Sequence, residues 1–251
     1  MLDMGFERDI RRIISHIGTN RQTLMFSATW PPEIRKIAEE FLRDPVRVTQ
    51  GSEDLSAARS VTQIVEVVEP HHRMNKLRRL LEKYHASRTN RVLIFVLYKR
   101  EAADLERQLQ RAGWSAGAIH GDKSQEQRIR ALDEFKTGRL PLLIATDVAA
   151  RGLDVPDVEY VINYSFPLTT EDYVHRIGRT GRGGREGTAH TFFTVNDKAR
   201  AGELQNVLRE AGVEIPKELA KFGSTVKAKK NSTYGAPVVH HSTANKTHMK
   251  F

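Results

Sequence analysis

The segment His175-Arg176-Ile177-Gly178-Arg179-Thr180-Gly181-Arg182-Gly183-Gly184-Arg185 sets four arginines among four glycines in eleven residues. Such a stretch makes a poor helix and a good phosphate site. Glycine lets backbone amides approach an anion, and each guanidinium offers a fork of donors; a flexible basic loop is the other reading. A second stretch, Ala145-Thr146-Asp147-Val148-Ala149-Ala150-Arg151-Gly152-Leu153-Asp154, brings a hydroxyl and a carboxylate directly off an apolar run. There they can meet a ligand, although an aspartate in that position also serves as a helix cap. In a third, Ala118-Ile119-His120-Gly121-Asp122 leads into Gln125-x-x-Arg128. A glycine turn before a helix amino terminus is a backbone cradle for phosphate, or an ordinary strand-to-helix turn. Ser27-Ala28-Thr29 is a bare hydroxyl tripeptide without weight of its own. His240, His241 and His248 lack acidic or cysteine companions, so no metal site is expected from them.

These residues need a scaffold, and the hydrophobic pattern supplies one. Strand-like runs occur at 62–69, 91–97, 115–119, 140–146, 158–164 and 188–194. Amphipathic helical stretches occur at 72–85, 99–112, 124–137, 170–178 and 197–211. Ala102, Leu105, Leu109 and Ala112 form one apolar stripe. The runs 91–97 and 140–145 barely alternate, as expected where helices cover both faces of a parallel sheet. Strand–helix alternation of this kind predicts an α/β domain, a doubly wound parallel sheet flanked by helices. Ligands gather at the carboxyl ends of such strands, which singles out the loops after 97, 119, 146 and 165. Upstream, 9–17 reads as a helix, 22–26 as a strand, Pro31-Pro32 as the opening of another helix, and 46–49 as a strand. Residues 50–60 are polar, small and aperiodic and read as a linker. Beyond about 222 no period persists, which predicts disorder.

The chain has 251 residues, 39% apolar and 28% charged, and no cysteine. That excludes disulfides and thiolate metal sites and favours a reducing, intracellular setting. No secretory signal is visible at the amino terminus, and runs such as 92–97 are too short to cross a bilayer. A soluble intracellular protein without a membrane partner is expected, in nucleus or cytoplasm with the nucleus preferred. The net charge of +9 is uneven: residues 217–251 hold seven lysines against the single acid Glu218. A basic tail suits a polyanion, or is a solvated extension.

Taken together in this order and spacing, the motifs resemble the DEAD-box family of superfamily 2 helicases over essentially residues 1–215. Ser27-Ala28-Thr29 is similar to motif III, 93–100 to motif IV, Gln125-x-x-Arg128 to motif IVa, 145–154 to motif V and 175–182 to motif VI. Trp30-Pro31 after the hydroxyl tripeptide resembles the p68-like subgroup. The resemblance implies a RecA-like second motor domain at 61–215 and the end of a first RecA-like domain at 1–49. It leaves 50–60 as linker and 216–251 as basic tail. It implies that Arg179 and Arg182 contact nucleotide phosphates, with Arg182 as an arginine finger, and that Asp154 holds the ribose. Arg151 and His175 would reach the acidic motif of the first domain. Ser27, Thr29 and Asp147 would couple nucleotide state to domain closure. Gly121, Arg128, Thr146 and Tyr98 would hold the sugar-phosphate backbone of single-stranded RNA. Contacts of that kind carry no base information.

Two departures qualify the resemblance. Motif IV in the family usually has a small hydroxylated residue where this chain has Leu97-Tyr98. No G-x-x-x-x-G-K-[ST] loop and no Asp-Glu-Ala-Asp tetrad occurs in the 251 residues. ATP and Mg2+ would therefore be held mainly by an N-terminal RecA-like domain that this sequence lacks, and residues 1–49 should pack poorly by themselves. The expected function is ATP-dependent RNA helicase activity in RNA processing, to which this chain supplies the C-terminal motor domain. On its own the chain is expected to be inactive. The alternative is a non-catalytic RNA-binding or regulatory module.

Overall fold

The computed structural model describes residues 6–27, 32–49, 60–150 and 158–225. The chain divides into two compact units, Met1–Ser56 and Ala57–Phe251.

The larger unit is built on six parallel strands: β1 (Val61–Val67), β2 (Val92–Val96), β3 (Ala116–Ile119), β4 (Leu142–Thr146), β5 (Tyr160–Asn163) and β6 (Gly187–Phe193). Their order across the sheet is β1-β6-β5-β2-β4-β3. Each run expected from sequence is present, with ends that differ by no more than two residues. Right-handed crossovers decide which face each connection covers. The chain moves one way across the sheet from β1 to β2 and from β2 to β3. Helices α3 (Arg73–Tyr84) and α4 (Lys99–Arg111) therefore share a face. From β3 onward it moves back. This places α5 (Gln125–Lys136), α6 (Asp147–Ala150) and α7 (Thr170–Ile177) on the other face.

Side-chain packing agrees with this assignment. Val92, Ile94 and Val96 share a core cluster with Leu77, Leu81, Leu105 and Leu109 of α3 and α4. Phe95, which alternation turns the opposite way, lies 5.0 Å under the Arg176 guanidinium of α7. All five β2 residues are buried, which is why this strand reads as a continuous apolar run.

Ordered packing continues past residue 215. Helix α8 (Ala201–Glu210) and α9 (Lys217–Ala220) close the second face. Leu219 is fully buried, Phe222 lies 5.5 Å from Phe193, and Gln205 Nε2 donates to the carbonyls of Leu219 and Gly223. The domain end expected at 215 is overrun because the next element, α9, has only four residues, too few to show a stripe. The part of the tail expected to be disordered lies, from 226 on, outside the described residues.

In the smaller unit, helices α1 (Glu7–Ser15) and α2 (Pro32–Phe41) are joined by Arg11, which pairs with Glu7 at 2.9 Å and with Glu40. The strands expected at 22–26 and 46–49 are not formed. Phe26 and Val46 are each 91% exposed. A strand needs a neighbour to satisfy its N–H and C=O groups, and no described residue of this unit provides a ladder. Ile37 and Ala38 are its only buried residues among those described, in keeping with the poor packing expected of 1–49.

Candidate functional site

Parallel pairing levels the carboxyl ends of three adjacent strands into a ledge. Val96 of β2 pairs with Thr146 of β4, and Ile119 of β3 pairs with Ala145. Thr146 at the end of β4, Tyr98 two residues past β2 and Gly121 two residues past β3 thus lie along one edge of the sheet. Tyr98 is 64% exposed and Thr146 only 7%. The loop bearing Gly121 is tied down on both sides. Lys99 Nζ bonds Asp122 at 2.7 Å and holds its carboxyl below the usual range. The Asp122 amide donates to His120 Nδ1 at 3.3 Å. Burial, with the nearby Lys123, keeps the His120 imidazole below its ordinary pKa, so it stays a neutral acceptor.

Helix α5 opens at Ser124 with a capping box: Gln127 N–H donates to Ser124 Oγ at 3.2 Å, and Ser124 N–H donates to Gln127 Oε1 at 3.0 Å. That fixes Arg128 in the first turn beside the ledge. Its Nε is buried without a hydrogen-bond partner in the protein. Thr146 thus ends β4, Tyr98 and Gly121 follow the ends of β2 and β3, and Arg128 lies in the first turn of the helix that follows Gly121.

Behind the ledge Asp147 forms an ion pair with Arg176, a residue for which the sequence suggested no role of its own. Arg176 is 2% exposed. Its Nε and Nη2 donate to the two oxygens of Asp147 at 2.6 Å each. Its Nη1 donates to the Ser165 carbonyl at 2.7 Å and to Asn163 Oδ1 at 3.3 Å. The bidentate fork and the ring of Phe95 beneath it fix the guanidinium plane. Helical period could have revealed this residue, since Arg176 stands three residues after buried Tyr173 and beside buried Ile177 on α7.

The arginine–glycine loop emerges at the far end of α7. Eight helical residues carry the chain about 12 Å back along the sheet. Thr180 there bridges Val158, just before β5. Thr180 Oγ1 donates to the carbonyls of Val158 and Glu159 at 2.5 and 3.0 Å. Ser60 Oγ donates to the Gly181 carbonyl at 2.8 Å. Gly181 has φ +69, and an added Cβ would meet Val61 and the Ser60 backbone. The loop is thus pinned at the amino ends of β1, β5 and β6, not at the carboxyl ends where strand–loop logic looks first.

Arg179 is half-buried, Arg182 is exposed with Nε on the Gly178 carbonyl at 2.6 Å, and His175 is half-buried. The loop and the stretch leaving Thr146 occupy one face of the sheet. Contacts are made at Arg176–Asp147 and at Thr180–Val158. Arg151 and Asp154 lie outside the described residues, as does Thr29, while Ser27 is exposed in the smaller unit. Among the described residues no cluster of three His, Cys, Asp or Glu can hold a metal ion, and no helix is long and apolar enough to cross a membrane.

Residues 72–184 match the helicase conserved C-terminal domain. The chain is similar to DEAD-box ATP-dependent RNA helicase 5 of Oryza sativa subsp. japonica, 60% identical over 237 residues, covering 94% of this chain and 46% of that protein. It is similar to ATP-dependent RNA helicase DBP3 of Kluyveromyces lactis, 58% identical over 240 residues, covering 94% of this chain and 48% of that protein. Its backbone is similar to S. cerevisiae Dbp5 bound to RNA and ADP BeF3, with TM-score 0.69 and 27% identity, over 88% of this chain and 54% of that one. The chain spans about half the length of the curated relatives it matches.

Proposed function

This chain belongs to the DEAD-box family of ATP-dependent RNA helicases, and on that premise we propose that it forms the second motor domain of an enzyme coupling ATP hydrolysis to local RNA unwinding. The observation that carries the reading is that Asp147, next to the strand-end residue Thr146, and Val158 each touch the segment 175–182, through Arg176 and Thr180. Gly121, Arg128, Thr146 and Tyr98 hold the sugar-phosphate backbone of a single strand along the carboxyl ends. Backbone contacts of this kind are independent of sequence, and 2′-hydroxyl contacts would select RNA over DNA.

The nucleotide station is the arginine–glycine loop. Its residues fit a polyphosphate: the backbone is pinned through Thr180 and Gly181 while Arg182 stays exposed. Arg179 and Arg182 bind phosphate oxygens, with Arg182 stabilising charge on the transferring group, and Asp154 holds the ribose. Mg2+ would neutralise phosphate charge when bound. Its ligands come from a first RecA-like domain, whose acidic motif Arg151 and His175 contact on closure. Ser27, Thr29 and Asp147 link that closure to the nucleotide. Trp30-Pro31 supports a p68-like assignment within the family.

The test is complementation. A separately expressed domain bearing the phosphate loop and acidic tetrad, added to the chain, should give RNA-stimulated ATP hydrolysis. Arg182→Ala should then lower turnover by roughly 10³–10⁵. Undiminished turnover by that variant would reject the assignment.

A further inference from the structure

The α3–α4 face carries charge that the site described above does not use. The two helices are locked side by side at both ends. Arg73 Nη1 pairs with Glu101 Oε1 at 3.2 Å. At the other end the Arg88 guanidinium lies 3.7 Å from the centroid of the Trp114 ring, and its Nη1 donates to the Gly113 carbonyl at 3.3 Å. Leucines 77, 81, 105 and 109 point inward. Facing solvent are Arg78, Arg79, Lys83, Arg100 and Arg111, none with a carboxylate partner among the described residues. The exposed carboxylates of the two helices are Glu82 and Asp104, and Asp104 is taken by Arg107. From Arg100 to Arg111 this row runs about 16 Å down α4.

We propose that this face is a second RNA surface, directed at phosphates, which holds the RNA flanking the segment bound on the ledge. The inference rests on the ledge being an RNA track. Tyr98 is the last ledge residue and Arg100 the first cation of the row. Beside both lies a shallow cleft of about 380 Å³ bordered by Tyr98, Arg100, Gln108, Tyr164 and two carboxylates, Glu101 and Asp104, each already paired with an arginine, Arg73 and Arg107. RNA leaving the ledge past Tyr98 therefore meets cations in sequence. Four of the five are arginines, whose planar forks suit phosphate oxygens. A docking protein would need an apolar centre, and neither α3 nor α4 has a large exposed hydrophobic residue. A cationic face without a large exposed hydrophobic residue suits an A-form duplex, which proteins recognise by shape and backbone.

The test compares two RNAs on the full chain: a short single strand sized to the ledge, and the same strand with a flanking hairpin. Combining Arg78→Gln, Arg79→Gln, Lys83→Gln and Arg111→Gln removes exposed charges only, and circular dichroism checks that the fold is kept. The slope of log K against log salt for the hairpin-bearing RNA should flatten by about 3, since each lost phosphate contact contributes roughly 0.7–0.9. Binding of the short strand should not change. The basic tail is present throughout and cancels. Equal slopes for variant and parent on the hairpin RNA would overturn the proposal, as they would if the face takes an acidic protein instead. Equal loss on both RNAs would overturn it too, because the face would then act only as diffuse charge. Failure of the track reading shows separately: Arg128→Ala would leave short-strand binding intact, whatever the hairpin result.

Discussion

Replacing Asp147 by asparagine removes one charge from an enclosed ion pair and leaves the Arg176 guanidinium where it is. The guanidinium side chain is 2% exposed and the carboxylate 21%. Asparagine keeps one acceptor but turns an amide toward a guanidinium donor, so one arm of the fork becomes a donor–donor contact. Removing one partner of a buried pair costs about 3–5 kcal/mol. The partial exposure of Asp147 and the surviving bond to the Ser165 carbonyl reduce this to roughly 2–4 kcal/mol. For a domain of this size that is a fall in Tm of roughly 5–15 °C.

Urea unfolding of the full chain, followed by far-ultraviolet circular dichroism, measures the loss. The companion Arg176→Met should cost less than its burial suggests, because Asp147 can turn to water. The double variant should fall short of the sum by about 1–3 kcal/mol. A loss below about 1 kcal/mol for Asp147→Asn, or strict additivity in the double variant, would mean that the fork does not hold the two segments together.

Gly187 tests the anchoring of the arginine–glycine loop. A Cβ there would strike Thr180 Oγ1 and the Gly181 amide, so Gly187→Ala should destabilise by about 1–3 kcal/mol. In the complemented enzyme it should depress ATP turnover more than RNA binding; an equal effect on both would count against a loop-specific role. Burial holds the His190 imidazole below its usual pKa, against the upward pull of Glu66. The unfolded chain then takes up the proton first as pH falls below about 6.5, so the stability contribution is complete above that value and is lost as pH falls toward the folded pKa. The urea midpoint should decrease from about pH 7.5 to about pH 5.5, and His190→Gln should decrease less; parallel curves would dismiss His190 as the group responsible. At the ledge, Tyr98→Ala should weaken single-stranded RNA binding by about 1–3 kcal/mol if a base stacks on the ring, with Tyr98→Phe near parent. Loss in both variants, read by fluorescence anisotropy, would point to the hydroxyl instead.

The sheet was legible because its strands are buried on both faces. Runs such as Val92–Val96 are apolar without alternation, and the helices between them carry apolar stripes. The ledge followed from strand ends alone, since every connection after a parallel strand leaves at the same edge. Local patterns could not show the seat of Thr180 on Val158, a contact 22 residues apart in sequence whose hydroxyl bond looks like nothing in a motif. Arg176 was concealed among three other arginines, although its register with Tyr173 and Ile177 marks it as inward-facing. The segments 22–26 and 46–49 failed for the opposite reason. Their residues favour strands, but strand formation depends on neighbours, and propensity carries no information about whether those neighbours are present.

The positions of the two candidate stations constrain how they can communicate. The ledge proposed for RNA is at the carboxyl edge of the sheet and the loop proposed for nucleotide is near the amino edge, so ligands placed in this way would share no side chain. Between them lies α7, eight residues long, held by its buried Arg176 to Asp147 at the start of α6. Thr146 belongs to the ledge, and Asp147, the next residue, is half of the buried fork to α7. A displacement at Thr146 therefore acts within one residue on the helix whose far end carries Arg179 and Arg182. A surface carboxylate in place of Asp147 could not transmit it, because solvent would absorb the motion. The burial of Arg176 is what makes the connection rigid.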